Sequence, residues 1–230
     1  MTHDTRAAAS SRRTDLARAV GSALDGRLLL AHPFYRRWEA GELRPAELAE
    51  YAVHYRAFET VLPEVLATVV DELMAEAEYD AAELVARNLA DELDHPEPHL
   101  DLFDGFAAAL PTAPQATRPG AAARRLADTY RELARSSPVA ALAGLAAYES
   151  QAADIAASKG DGLRRWYGLD AAGTRFWDVH AAMDADHGDW AVDALVLLGA
   201  DADEVLEGAR RAADAWWSLL DEREAEGLAA

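Results

Sequence analysis

The 230-residue chain carries 41 acidic against 22 basic side chains, a net charge of −19, and 51% of it is hydrophobic. That charge repels phosphate backbones and anionic lipid, which argues against nucleic-acid and membrane-surface roles, and the apolar content is too high for a disordered chain. There is no cysteine, so disulfides, thiolate metal sites and a cysteine nucleophile are excluded as well.

Residues 1–13, "MTHDTRAAASSRR", lack the apolar centre of a signal peptide and read as a loose tail. β-Branched residues are sparse and no segment alternates as a strand does. Thr14 is placed to cap a helix through "DLARAVGSALDGRLLLAH". Pro45 opens a long one that Pro63 is expected to kink. "DAAELVARNLADELD" ends near Pro96 and Pro98, "HLDLFDGFAAAL" follows, and "PTAPQATRPG" is a loop. "AAARRLADTYRELARSS" precedes "PVAALAGLAAYESQAADIAASKG", with Pro138 in its first turn and Gly160 past its expected end. The apolar run 139–147 is too short to cross a bilayer. Thr174 caps the next helix, which stops at Gly199, and "DADEVLEGARRAADAWWSLLDEREAEG" is the last. The expectation is a single-domain, all-α bundle of about seven to eight helices over 14–222, with a tail at 223–230, in the cytoplasm.

Several apolar stripes hold polar residues. Trp177, His180, Asp184, His187, Ala191, Leu195 and Leu198 follow the spacing of a buried helix face, whereas Asp178, Asp189 and Asp193 fall opposite. Glu149 interrupts the stripe Leu142, Leu145, Ala152, Ala156, and Glu92 continues Val85 and Leu89. His99 leads Leu102, Phe103, Phe106 and Leu110. One such residue is ordinarily a hydrogen-bonded core pair, and a buried unpaired carboxylate costs several kcal/mol. Three carboxylates (Glu92, Glu149, Asp184) with three imidazoles (His99, His180, His187) instead suit two divalent first-row metals with positions open for O2 or substrate. Hard oxygen donors with imidazole, and no thiolate, favour iron or manganese over structural zinc.

Two four-helix solutions compete. A ferritin-like site needs Glu-x-x-His from two helices. Here only Glu92–His95 fits, with a weaker Asp184–His187, and His95 sits just before Pro96. The other solution rests on "HPFYRRWEAGELRPAELAEYAVHY", "NLADELDHPEPHLDLF", "YESQAADIAASKGDGLRRWYG" and "FWDVHAAMDADH". In these stretches the chain resembles the haem-oxygenase-like di-metal oxidases, and among them the CADD-type proteins, named for the chlamydial protein associating with death domains. The resemblance spans about Leu28 to Leu220. The family pattern is Glu-x6-His, a Glu preceded by Tyr, then His-x3-Asp-x2-His. Glu92 and His99, Glu149, and His180, Asp184 and His187 match it in turn.

The resemblance implies a haem-oxygenase-like bundle with two divalent metals (Fe/Fe or Mn/Fe), O2 and an external reductant, and no haem. A haem would need an early proximal His; His32 is the candidate, but it leaves the six ligands unexplained. The resemblance also implies synthesis of 4-aminobenzoate, a folate precursor, from the protein's own side chains in a single turnover. The ring donor maps to Tyr35 and the amino donor to Lys159, the only lysine in the chain. Spacing alone reads Lys159 differently: about 80° and 15 Å from Glu149 along the helix, in a last turn before Gly160, it is an ordinary surface lysine. Tyr51 and Tyr148 also match family tyrosines, as radical carriers, as positioning groups or as plain core residues. Phe176 departs from the pattern, which has Tyr there.

Two other functions stay open. One is oxidation of a free amine, amino acid or fatty acid on the same ligands; the other is a non-catalytic adaptor, for which buried ligands would be a net cost. Trp216 and Trp217 offer a homodimer surface, or else one buried and one half-exposed Trp.

Overall fold

Prolines open three of the helices, and left-handed glycines stand just past the ends of three, two of them the same helices, as their backbone chemistry requires. The structure, a computed structural model, describes residues 3–94 and 97–229, excluding the side chains at 3–6, 94, 184 and 185. Among these residues there are nine α-helices and no strand. They are α1 (His3–Ala23), α2 (Pro33–Ala40), α3 (Pro45–Ala75), α4 (Tyr79–Asp94), α5 (His99–Ala109), α6 (Ala121–Ser136), α7 (Pro138–Tyr167), α8 (Arg175–Leu197) and α9 (Ala202–Ala229), with one 3-10 turn at Leu29–Ala31. No helix among them is long and apolar enough to cross a membrane.

Helix α7 is the axis of the bundle. Every residue from Ala140 to Glu149 is buried, because the run is apolar on all sides and must be enclosed. Helices α8 and α9 pack along it, and α2, α3, α6 and α1 close around it. An aromatic column fills the interior: Tyr55 lies 5.2 Å from Phe103 and 5.6 Å from Trp216, ring centre to ring centre, and Tyr148 stacks on Trp216 at 4.4 Å.

Several boundaries differ from the expected ones. Helix α1 begins at His3, not Thr14, whose hydroxyl donates to the Ser10 carbonyl within the helix. The segment is rich in Ala, and Arg13 is held by Asp189 at 2.6 Å and Asp193 at 2.7 Å on α8. Helix α1 ends at Ala23, so "LLLAH" belongs to the 3-10 turn and to the cap of α2. His32 accepts from the Phe34 amide through Nδ1 and meets Asp221 at 3.1 Å through Nε2. Both ring nitrogens of His32 are engaged in these contacts. Helix α3 runs through Pro63. Helix α7 passes Gly160 and continues to Tyr167, and α9 includes the expected tail to Ala229. Trp216 is buried and Trp217 half-buried, its ring 4.6 Å from that of His32.

Gly41 ends α2 at φ 74°, and a Cβ there would overlap the Trp166 side chain. Gly41→Ala is expected to cost about 1–2 kcal/mol, read as a lower urea midpoint at unchanged slope.

Candidate metal centre

Glu92, His99 and His180 converge from α4, α5 and α8. All three are buried, and one donor atom of each lies within 4.8 Å of the other two. Glu92 Oε2 is 3.0 Å from His99 Nδ1. His180 Nδ1 sits 2.8 Å from the Phe176 carbonyl, which fixes Nδ1 as the protonated nitrogen and leaves Nε2 with its lone pair for a ligand. Burial, then the neighbouring His99, lowers the His180 pKa to about 4, so this ring is neutral.

Glu149 enters from α7 and is buried. Burial and the charge of Glu92 push its pKa well up, while a hydrogen bond from Asn88 opposes the rise. His187 follows on α8, with Nε2 3.2 Å from the Asp91 carboxylate. A carboxylate behind an imidazole is the arrangement that orients a metal-ligating His. His187 is near enough to Glu92 to be among the groups that hold that carboxyl below its ordinary pKa. Five of the six expected ligands therefore share one buried region. Asp184 lies on the helical backbone of α8, but its side chain falls outside the described residues, as does His95.

Lys159 is where spacing alone did not place it. It is 2% exposed, and its Nζ is 2.7 Å from the Tyr51 hydroxyl, itself 2.7 Å from the Tyr35 hydroxyl. The ammonium is caged by aromatic faces: 4.3 Å from the ring centre of Trp177, 4.5 Å from Tyr35, 4.7 Å from Tyr55 and 5.0 Å from Tyr51. Such faces attract a cation and partly replace its lost hydration. The Trp38 indole N–H approaches the Lys159 carbonyl at 3.3 Å. Tyr35 and Lys159, the two expected donors, thus sit together, with Tyr51 bridging them.

Tyr148 connects to this cluster through a 2.5 Å contact with the hydroxyl of Tyr55, a residue the sequence reading passed over. Tyr55 also hydrogen-bonds Glu59, a buried carboxylate on which Glu92 and Glu149 both act. Asp91 and Glu59 were the other omissions. Tyr51, Tyr55 and Glu59 are spaced i, i+4, i+8 on α3, a stripe leading from the lysine cage toward the carboxylates. Phe176, which has no hydroxyl, lies with its ring centre 4.0 Å from that of His180.

The donor set fits a hard or borderline divalent cation. It offers carboxylate oxygens and neutral imidazoles in a buried space, and His99 Nε2 is buried with no hydrogen-bond partner, a cost that coordination would relieve.

A family model described as iron-containing redox enzyme matches residues 49–217. The chain belongs to that family. A 4-aminobenzoate synthase of Nitrosomonas europaea is 36% identical to this iron-containing redox enzyme over 219 residues, which cover 88% of each chain. A CADD-like protein of unknown function from Nostoc punctiforme superposes with a TM-score of 0.73 at 15% identity, over 94% of this chain and 96% of that one. A domain from Shewanella denitrificans with a heme oxygenase-like fold gives 0.73 at 16% identity, covering 93% and 92%. The fold is haem-oxygenase-like, as expected, and the protein is an oxidoreductase of that fold.

Proposed function

We propose that this protein makes 4-aminobenzoate from its own Tyr35 ring and Lys159 amino group, once per polypeptide. Two divalent metals, iron alone or iron with manganese, would be held by Glu92, His99, Glu149, His180, Asp184 and His187. The metals would supply activation of O2, with electrons from an external reductant. The reading draws on the relatives' printed names and, above all, on one observation. The sole lysine lies buried with its nitrogen 4.5 Å from the Tyr35 ring centre, donating to the Tyr51 hydroxyl, which in turn shares a hydrogen bond with the Tyr35 hydroxyl.

The chemistry is legible from the two molecules. Tyrosine carries Cβ and a hydroxyl para to one another; 4-aminobenzoate carries a carboxyl and an amino group there. The Cα–Cβ bond must break, Cβ must reach the carboxyl level, and nitrogen must replace the phenolic oxygen. Tyr51 orients both partners: its oxygen lies between the Lys159 nitrogen and the Tyr35 oxygen. Burial pushes the Tyr35 hydroxyl well above its ordinary pKa, so the phenol stays protonated until it reacts. The aromatic cage excludes water, which would otherwise compete for an oxidised ring.

A second reading, oxidation of a free small molecule, draws on a cleft of about 410 Å³ lined by Arg13, Glu149, Ser150, Asp154 and Asp189. Intact-mass spectrometry separates the two. Protein loaded with Fe(II), or Fe(II) and Mn(II), is given O2 and reductant but no substrate. Release of at most one 4-aminobenzoate per chain, with mass loss mapped to Tyr35 or Lys159, is the expected result. O2 consumption with an unchanged polypeptide would favour the small-molecule oxidase.

The buried ligands set a pH dependence. A base whose pKa falls from 6.5 to about 4 keeps its lone pair as pH drops through 6. At pH 5.5 His180 therefore still offers its lone pair, whereas Glu149, whose pKa is pushed up, must shed a proton to bind. Metal affinity is expected to weaken as pH falls, the loss set by the carboxyl and not by His180. Equilibrium dialysis with elemental analysis checks it.

A further inference from the structure

The expected ligands are enclosed: Glu92, His99, Glu149, His180 and His187 are all buried. The cleft of about 410 Å³ between α1, α7 and α8 meets two of the turns that carry them. Helix α7 contributes Glu149 and Asp154 to its lining, α8 contributes Gly188, the residue after His187, and Asp189, and α1 covers it with Arg13. The α7 and α8 walls are fixed against each other. A Cβ at Gly188 would lie 3.3 Å from both the Glu149 carbonyl carbon and the Ser150 nitrogen, so the two backbones meet with no side chain between them.

The third wall is held differently. Leu16, Val20 and Leu24 anchor α1 in the core. Ahead of them, among the described ion pairs, Arg13 alone ties α1 to α8, at 2.6 Å from Asp189 and 2.7 Å from Asp193. All three side chains are partly in solvent, where water and salt compete for the charges, so the ties form and break readily. Asp154 and Asp189 at the mouth are exposed acids, and Arg13 is the only cation among the described lining residues. Such a mouth gathers cations and repels the carboxylates of amino or fatty acids.

We infer that this cleft is the port through which divalent cations reach the buried ligands, with Arg13 as its latch. The inference rests on the reading of those ligands as a metal centre. Arg13 neutralises the carboxylates that an arriving ion meets first. An ion that competes for Asp189 and Asp193 loosens the guanidinium, and the α1 wall is then free to move away. Once the ion has passed inward, Arg13 returns to both carboxylates and closes the cleft over Glu149.

The test follows Mn(II) uptake by metal-free, full-length protein after rapid mixing, read as loss of the paramagnetic resonance signal of the free ion. Metal content at equilibrium is the second readout. Asp154→Lys inverts an exposed charge at the mouth and is expected to slow uptake by about 10-fold or more, with a weaker dependence on salt than wild type. Ala153→Trp, which fills the cleft from α7, is expected to slow it as well, and Arg13→Gln to speed it. Final metal content should match wild type in all three, since none replaces a ligand. Uptake at the wild-type rate by both Asp154→Lys and Ala153→Trp would overturn the port and leave the ligand centre standing, and the same result for Arg13→Gln would remove the latch. Wild-type protein that takes up no Mn(II) would overturn the centre and the inference together. Should Ala153→Trp fold poorly, Asp154→Lys decides alone, because its side chain lies outside the core.

Discussion

Replacing Lys159 by Arg is expected to reduce 4-aminobenzoate release below detection, a loss of at least 100-fold, because no other amine of its kind exists in the chain. Arginine keeps the positive charge but presents a resonance-stabilised guanidinium that is far less nucleophilic and too broad for the cage of Tyr35, Tyr51, Tyr55 and Trp177. Lys159→Met separates chemistry from folding. It keeps the length of the side chain and removes a buried ammonium, so stability should stay within about 1 kcal/mol of wild type. Metal content should be unchanged in both variants, since Lys159 carries no ligand atom in the proposed set. A variant releasing product at the wild-type yield would show that the amino group comes from elsewhere.

The second large effect falls on Glu92. Its carboxylate is 3.0 Å from His99 and lies within the donor cluster with His180, and it acts on Glu149 and Glu59 as well. Glu92→Ala is expected to lose at least one metal equivalent and, with it, about 100-fold or more of O2 consumption. Elemental analysis after exhaustive dialysis, followed by oxygen-electrode rates, measures both. Retention of two tightly held metals would remove Glu92 from the ligand set. In chelator the same variant tests the fold alone, because loss of the His99 partner leaves an imidazole buried without its acid.

The stripe on α8 was legible in the sequence because helical periodicity exposes a polar residue in an apolar row. Trp177, His180, His187, Ala191 and Leu195 are all buried, and Asp178 and Asp189 are on the outside. The same rule exposed Glu92, His99 and Glu149. It failed at Lys159 for a specific reason. Gly160 resembles a helix terminator, yet α7 continues, because Gly160 and Gly162 mark close packing rather than a turn. A Cβ at Gly162 would lie 3.0 Å from Trp38 Cδ1, and one at Gly160 would lie 3.5 Å from Trp177 Cβ. Those two indoles form part of the lysine cage, so the small residues that looked like an end are what lets the cage close on Lys159.

Glu59 and Asp91 escaped for different reasons. Glu59 lies on a long helix whose neighbours Arg56 and Thr60 suggest a solvated face, and only its i+4 and i+8 relation to Tyr55 and Tyr51 gives its side away. Asp91 precedes Glu92, and adjacent acids on a helix read as surface charge; its contact with His187 spans α4 and α8, which no local pattern encodes. Tyr55 was hidden among other core aromatics, where a buried phenol is ordinary until its hydroxyl partners are known.

A property of composition makes the central claim directly measurable. Because Lys159 is the only lysine, protein grown on lysine labelled with nitrogen-15 at the side-chain amine carries that label at one position. After loading with iron or iron and manganese, and addition of O2 and reductant, released 4-aminobenzoate is weighed by mass spectrometry. The account predicts product heavier by about one mass unit and a polypeptide depleted of its label. Unlabelled product, or O2 consumption with the label fully retained on the chain, would contradict it.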